Sequence, residues 1–405
     1  MTDVRDALAD AHRREWAVVL AATVRVTRDL DLAEECVQDA YTAALDAWTR
    51  AGVPARPGAW LTVAARHNAL DAVRRAATLR GKLHLLVEPD VPDDPQPTDD
   101  PLRLLFLCCH PALSPEAQVA LTLRLACGVA TPDVAAAFLV QESTMAARLT
   151  RAKKKIVAAR IPFRMPASAQ LPDRLDAVLT VVHLLFTTGH TAPTGTALTR
   201  DDLAEHAVRL ARLLRTLMPD EPEVRGLLAL LLSNHARRTT RTAPDGRLLL
   251  LEEQDRSKWD RTAIAEADDL VVAALRAAAP GRFALQAAIA TLHATAPTYA
   301  ETDWSQILAL YDSLLRTWPS PVVALNRAVV TAMVHGPSAA LADIEELEQD
   351  ARLAGYRYLP AVKADLLRRL GRTTAAAAAY ERAMELSEND AERAFLAMRL
   401  AGTRT

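Results

Sequence analysis

Between Leu113 and Lys155 apolar side chains return at helical spacing in three short runs, separated by two turn signals, and this pattern admits little but three short helices around one small core. Ser114 is placed to cap the first run, with Pro115 in its first turn, where a missing N–H costs nothing. Thr131-Pro132-Asp133 repeats that start signal, and Val134, Ala135 and Phe138 give the second run a buried face. In the third run Met145, Leu149, Ala152 and Ile156 recur on one side. That spacing leaves Gln141, Glu142, Thr144, Arg148, Arg151 and Lys155 pointing outward. Such a helix fits a major groove, with early residues at base edges and late cations on phosphates. A solvated basic helix is the plainer alternative.

Composition sets the class. Half of the 405 residues are hydrophobic, only 4% are aromatic, and strand-favouring runs of Val, Ile, Thr and Tyr are nearly absent. The chain is therefore expected to be all-α. Its net charge of −2 confines any nucleic-acid contact to a local basic patch. Cys36, Cys108, Cys109 and Cys127 lack paired CxxC spacing and read as buried, reduced thiols; neither a metal nor a cofactor is expected. No signal peptide and no apolar run of membrane-spanning length is visible, so a cytoplasmic, nucleoid-associated protein without membrane contact is expected.

Two segments read as linkers. Residues 87–101 are rich in Pro and Asp and should be extended, and residues 161–172 carry a second set of prolines. They divide the chain into a first unit at 1–86, the three-helix unit at 102–160 and a helical remainder from 173. In the first unit Asp31-Leu32-Ala33-Glu34 reads as a capping box, with Asp31 at the cap. Cys36, Ala40, Ala44 and Trp48 then form a buried stripe, leaving Glu34, Glu35, Gln38, Asp39 and Thr42 toward water. This acidic face is plain surface or a dock for a positively charged partner helix. A second helix runs from Pro57-Gly58-Ala59-Trp60 to Arg75, with Val63, Ala64, Leu70 and Val73 inward and Arg66, His67, Asn68, Arg74 and Arg75 outward.

An acidic helix, a loop, a Trp-Leu helix ending in Arg-Arg, an acidic linker and a basic helix-turn-helix form a distinctive order. It resembles the extracytoplasmic-function branch of bacterial sigma-70 factors, the RNA polymerase subunits that read promoters. Asp31 to Tyr41 is similar to the polymerase-docking helix of region 2. Ala59-Trp60-Leu61 with Ala65-Arg66-His67 and Asp71 is similar to the helix after the promoter-opening loop, and Leu113 to Lys155 to region 4. The resemblance implies that Glu34, Glu35, Gln38 and Asp39 bind RNA polymerase core. It implies that the loop Arg50 to Pro57 holds a base flipped from the −10 element, at a cost of a few kcal/mol of stacking. Arg50, Arg56, Trp60, Arg66, His67, Arg74 and Arg75 would contact the melted −10 strand. Gln141, Glu142, Ser143, Thr144, Arg148, Arg151 and Lys155 would face the −35 double-stranded DNA, on a helix-turn-helix of winged-helix-like type. Leu139 at the turn, Gln141 at the cap, Ala146 and His67 depart from the family pattern and bear on which promoter is read.

Roughly 230 residues follow, and they resemble a subgroup with a long C-terminal extension. The extension divides into helices at 173–295 and tetratricopeptide-like repeats at 296–400. Leu366 to Arg372 with Ala378 to Leu386 matches one such repeat, and Trp304 to His335 a degenerate one, with Leu308, Tyr311 and Leu315 inward and Pro319 and Pro321 at the turn. The run Leu251 to Asp260, with Asp255, Arg256, Trp259 and Asp260, is either a ligand or partner site or a loop locked by an Arg256–Asp260 pair. His183 and His190 read as core or capping histidines. The expected function is promoter-directed transcription initiation without enzymatic catalysis, with the extension acting in cis and offering a site to a protein or ligand regulator. A helix-turn-helix and repeat adaptor that never meets polymerase is the alternative, and it leaves the acidic helix and acidic linker without a purpose. A helical enzyme built on the extension would need a ligand or metal that the sequence does not show.

Overall fold

The computed structural model describes residues 4–79, 100–138, 140–191, 194–195, 199–244, 246–277 and 279–404. It is built almost wholly of helices, in two compact units divided at 182/183. In the first unit α1 (Val4–Thr27), α2 (Leu30–Ala51) and α3 (Pro57–Leu79) pack against one another. Asp29, not Asp31, caps α2, its Oδ1 accepting from the amides of Asp31 and Leu32 at 2.9 and 3.1 Å. The core stripe of α2 is the expected one, widened by Ala33, Val37 and Tyr41. The inward face of α3 is rotated from the expected one. Leu61, Ala65 and Ala69 are buried, whereas Val63 is 56% exposed. Asn68 turns inward too, and its Nδ2 donates to the Cys36 carbonyl at 3.1 Å. That bond satisfies an amide at the α2 contact, so polarity alone misjudged the face.

Then follow α4 (Asp100–Cys108), α5 (Pro115–Leu121), a π-helical turn (Thr122–Ala126), α6 (Thr131–Ala137) and α7 (Glu142–Ala158). Ser114 Oγ accepts from the Ala117 amide, and Met145, Leu149, Ala152 and Ile156 are the buried residues of α7. Gln141 stands at the α7 cap without a side-chain capping bond. Leu139 lies outside the described residues, and so does the predicted linker up to position 99. Its last two residues are not extended: Asp100 and Pro101 open α4 and are buried. Asp100 earns that burial by facing Arg25 of α1 and Arg103, at 3.6 and 3.5 Å. The described residues of the helix-turn-helix are helical, without a strand.

The second unit continues α8 (Leu171–His190) into α9 (Asp201–Leu217), α10 (Pro222–His235), α11 (Arg261–Ala277), α12 (Arg282–Thr295), α13 (Trp304–Thr317), α14 (Pro321–Val334), α15 (Pro337–Leu347), α16 (Tyr358–Arg369), α17 (Thr373–Leu386) and α18 (Asp390–Arg404). From α9 onward, successive helices pack against one another. Pro321 opens α14, and Gly371 turns α16 into α17 at φ 72°, a conformation that favours glycine. Ala376, Tyr380 and Ala383 are the buried residues of α17. His183 and His190 are half-buried, their rings beside Phe283 and Phe186. Burial, reinforced by Arg282, holds His183 down to about 4, and therefore neutral. A two-residue strand at Thr194–Gly195 pairs in parallel with Glu388–Asn389.

Candidate functional site

The acidic helix and the basic helix meet. Lys153 of α7 reaches Glu34 of α2 and also Asp31, the latter at 2.6 Å. Arg124, on the π turn, closes on Glu34 from the other side at 2.8 Å. Glu34 is only 5% exposed, against the expectation that it lies toward water. Burial tends to lower the Lys153 pKa, but the charge of Glu34 and the hydrogen bonds to Asp31 and Glu34 outweigh it, and the net shift is upward. Apolar packing backs the pairs. Trp16 Nε1 donates to the Leu125 carbonyl at 3.0 Å, and Trp16 packs with His12 and Tyr41. Gly128 sits beneath this cluster at φ 69°, where an added Cβ would lie 2.7 Å from the Trp16 ring and from His12.

This clasp uses one side of α7 and leaves the other open. At about 100° per residue, Thr144, Arg148, Arg151 and Lys155 cluster roughly opposite Lys153. Gln141, Glu142, Ser143, Thr144, Arg151 and Lys155 are exposed, while Arg148 is half-buried with its guanidinium 5.6 Å from the Phe138 ring centre. Arg148, Arg151 and Lys155 border a depression shared with Ser114 and Glu116 of the first helix. On α2, Glu35, Gln38 and Asp39 remain exposed beside the clasp. At the end of α2, in the loop that follows and on α3, Arg50, Arg56, Arg66, His67, Arg74 and Arg75 are all exposed. Arg66, His67 and Arg74 fall within one sector of α3 about 100° wide. Trp60 is half-buried, its ring edge against Trp48 at 5.9 Å, which anchors the loop 52–56 between α2 and α3.

Comparison with known proteins bears on both halves of this arrangement. Residues 10–78 match sigma-70 region 2 and residues 103–156 match sigma-70 region 4. The uncharacterized protein R00370 of Rhizobium meliloti (strain 1021) is 43% identical over 391 residues, covering 94% of this chain and 92% of its own. The chain belongs to the sigma-70 family. It is a sigma factor of the extracytoplasmic-function type with a long C-terminal extension, and its role is promoter-specific transcription initiation. RNA polymerase core and promoter DNA are the partners that these regions imply. Sigma factor families are non-enzymatic. Residues 174–275 of the sigma factor match a family of unknown function, DUF6596. No solved structure matches the chain. No described helix is long and apolar enough to cross a membrane.

Sequence reasoning missed Lys153, Arg124, Trp16 and Gly128 of this sigma factor. Lys153 was the detectable one, because it falls off the outward sector of its own helix. Arg124 and Gly128 gain meaning only from residues roughly a hundred positions away. In the extension the Arg256–Asp260 pair is not made. Asp260 instead accepts from the Ala263 amide at 3.0 Å, capping α11. Arg256 donates to the carbonyls of His293 and Ala296, both at 2.7 Å, and lies over the Trp259 ring. Trp259 Nε1 donates to Thr240 at 2.9 Å, and Asp255 caps the short turn through Ser257. The motif is thus a lock that satisfies the C-terminal carbonyls of α12. The four cysteines are buried and form no disulfide, and burial raises the Cys109 thiol to about 12.

Proposed function

We propose that Glu35, Gln38 and Asp39 form the docking face for polymerase core, with Glu34 joining them when the clasp opens. Arg50, Arg56, Trp60, Arg66, His67, Arg74 and Arg75 take the melted −10 strand, and Gln141 to Thr144 with Arg148, Arg151 and Lys155 take the −35 duplex. A cytoplasmic, nucleoid-associated location follows from those partners. One observation carries this reading: α7 holds α2 with one side while its cationic opposite side stays open to solvent. The clasped form is the resting state, in which the docking helix is partly committed to Lys153 and Arg124. Core binding competes for Glu34 and releases the basic helix. The division into 173–295 and 296–400 describes an extension that tunes this equilibrium in cis.

Run-off transcription with purified core polymerase tests the reading, comparing the full chain with one ended after residue 182. Ending at 165 would be a poor test. Arg174 donates to the Phe106 carbonyl and lies over the Phe106 ring, so the start of α8 belongs to the first unit. Equal promoter-directed output and equal control in both chains would remove the regulatory role. Absence of core binding in both would remove the whole assignment of docking and promoter residues.

A further inference from the structure

The second unit contains a cavity of roughly 680 Å³, bordered by α13, α14, α16 and α18 and by the start of the 251–260 motif. Aromatic residues are scarce in this chain, yet five of its eighteen, Tyr299, Trp304, Tyr311, Tyr380 and Phe395, line this one cavity. Arg368, Arg369 and Arg399 also line it, with the carboxylates of Asp365 and Glu252. Asp365 Oδ1 is shared between Arg368 at 2.8 Å and Arg399 at 2.7 Å, so one carboxylate serves two guanidiniums. The Arg368 Nε is buried without an acceptor. Tyr380 is 2% exposed, and its hydroxyl lies against the Arg368 guanidinium. His293, also in the lining, leaves Nδ1 unpartnered. Burial first, then Arg237 and Arg256, hold its pKa to about 4.

An unspent buried guanidinium N–H at Arg368, three guanidiniums against two carboxylates and an aromatic lining are what a planar anion requires. We propose that this cavity binds a small aromatic carboxylate, its ring among Trp304, Tyr311 and Phe395 and its anionic group toward Arg368, Arg399 and the Tyr380 hydroxyl. Its size lies within the ordinary range for small-molecule sites, about 300–1,000 Å³. Its walls are helices whose backbone groups are already paired, so they offer an extended peptide no ladder to join. The proposal is independent of how the first unit meets polymerase.

The test uses the full chain and the fluorescent aromatic sulfonate 1-anilinonaphthalene-8-sulfonate. The expected result is saturable binding of one probe per chain, displaced by salicylate and at least tenfold less well by benzyl alcohol. Val329 borders the cavity and is 39% exposed, so Val329→Trp fills it from the open side without disturbing the core. This variant should lose at least 90% of the probe signal with an unchanged circular dichroism spectrum. Arg399→Gln should weaken probe and salicylate about tenfold, one good charged contact, while Arg399→Lys stays within about threefold. Binding that survives Val329→Trp, or displacement by the alcohol as readily as by the acid, would overturn the proposal. An acidic peptide displacing the probe tenfold better than salicylate would overturn it too, in favour of a protein partner.

Discussion

Neutralising Lys153 should make this sigma factor a better ligand for polymerase core. The Lys153 side chain is 13% exposed and that of Glu34 only 7%, so their pairing is poorly screened. For the accompanying Arg124–Glu34 pair at 2.8 Å, the Coulomb attraction at an effective dielectric of about 20 is roughly 6 kcal/mol. Desolvating each ion costs several kcal/mol, so the clasp retains only a fraction of that attraction. Removing one partner of a fully buried pair costs about 3–5 kcal/mol. In Lys153→Gln Arg124 still neutralises Glu34, and Asp31 is largely in solvent at 75% exposure, so a cost of about 2 kcal/mol is expected. Two kcal/mol is about a thirtyfold change in the open-to-clasped ratio, and apparent affinity scales with the open fraction. Fluorescence anisotropy of the labelled chain against purified core should therefore show up to thirtyfold tighter binding. Lys154→Gln removes an equal charge from the exposed neighbour and is the control. Affinity in Lys153→Gln equal to or below that of Lys154→Gln, with the fold intact, would refute the clasp as a resting state.

Other outcomes follow from the same geometry. Gly128→Ala combines a positive φ with a Cβ 2.7 Å from Trp16 and should cost about 1–3 kcal/mol in urea denaturation; a change below about 0.5 kcal/mol would show that the interface yields. His183 and His293 are each held to about 4 in the folded chain, against about 6.5 unfolded. The unfolded chain then binds more protons between these values, so melting temperature should fall as pH drops from about 6.5 to 4 and be flat above about 7; a flat acid limb would contradict their burial. Arg256→Ala strips two carbonyls of their donor and should destabilise by about 2–4 kcal/mol, with Arg256→Lys recovering little because the fork and the ring stacking are lost. Equilibrium unfolding decides this, and full recovery by lysine would discard the two-carbonyl account. Arg151→Ala should lower the salt slope of duplex binding by roughly one counterion; an unchanged slope in a filter-binding series would remove Arg151 from the phosphate contacts.

Local sequence was sufficient for the helix content, the four buried positions of α7, the Ser114 cap and the hairpin turn at Gly371, because each is set by neighbours within one or two turns. It was also sufficient for the family, since three motifs in order carry more information than any one of them. Side-chain direction on α3 was not legible. Val63 was placed inside by hydrophobicity and Asn68 outside by polarity, yet a bond to the Cys36 carbonyl reverses both. Arg256 shows the same limit: Asp260, four positions on, was the natural partner by sequence, and backbone carbonyls some forty positions away are the real ones. Only tertiary structure decided that Glu34 is buried between Lys153 and Arg124, because ion pairing acts over a few ångströms of space regardless of sequence separation. The chain alone determined which helices form and to which family they belong. Folding decided which charges face one another, and so which of the acidic helix's carboxylates stay exposed to a partner.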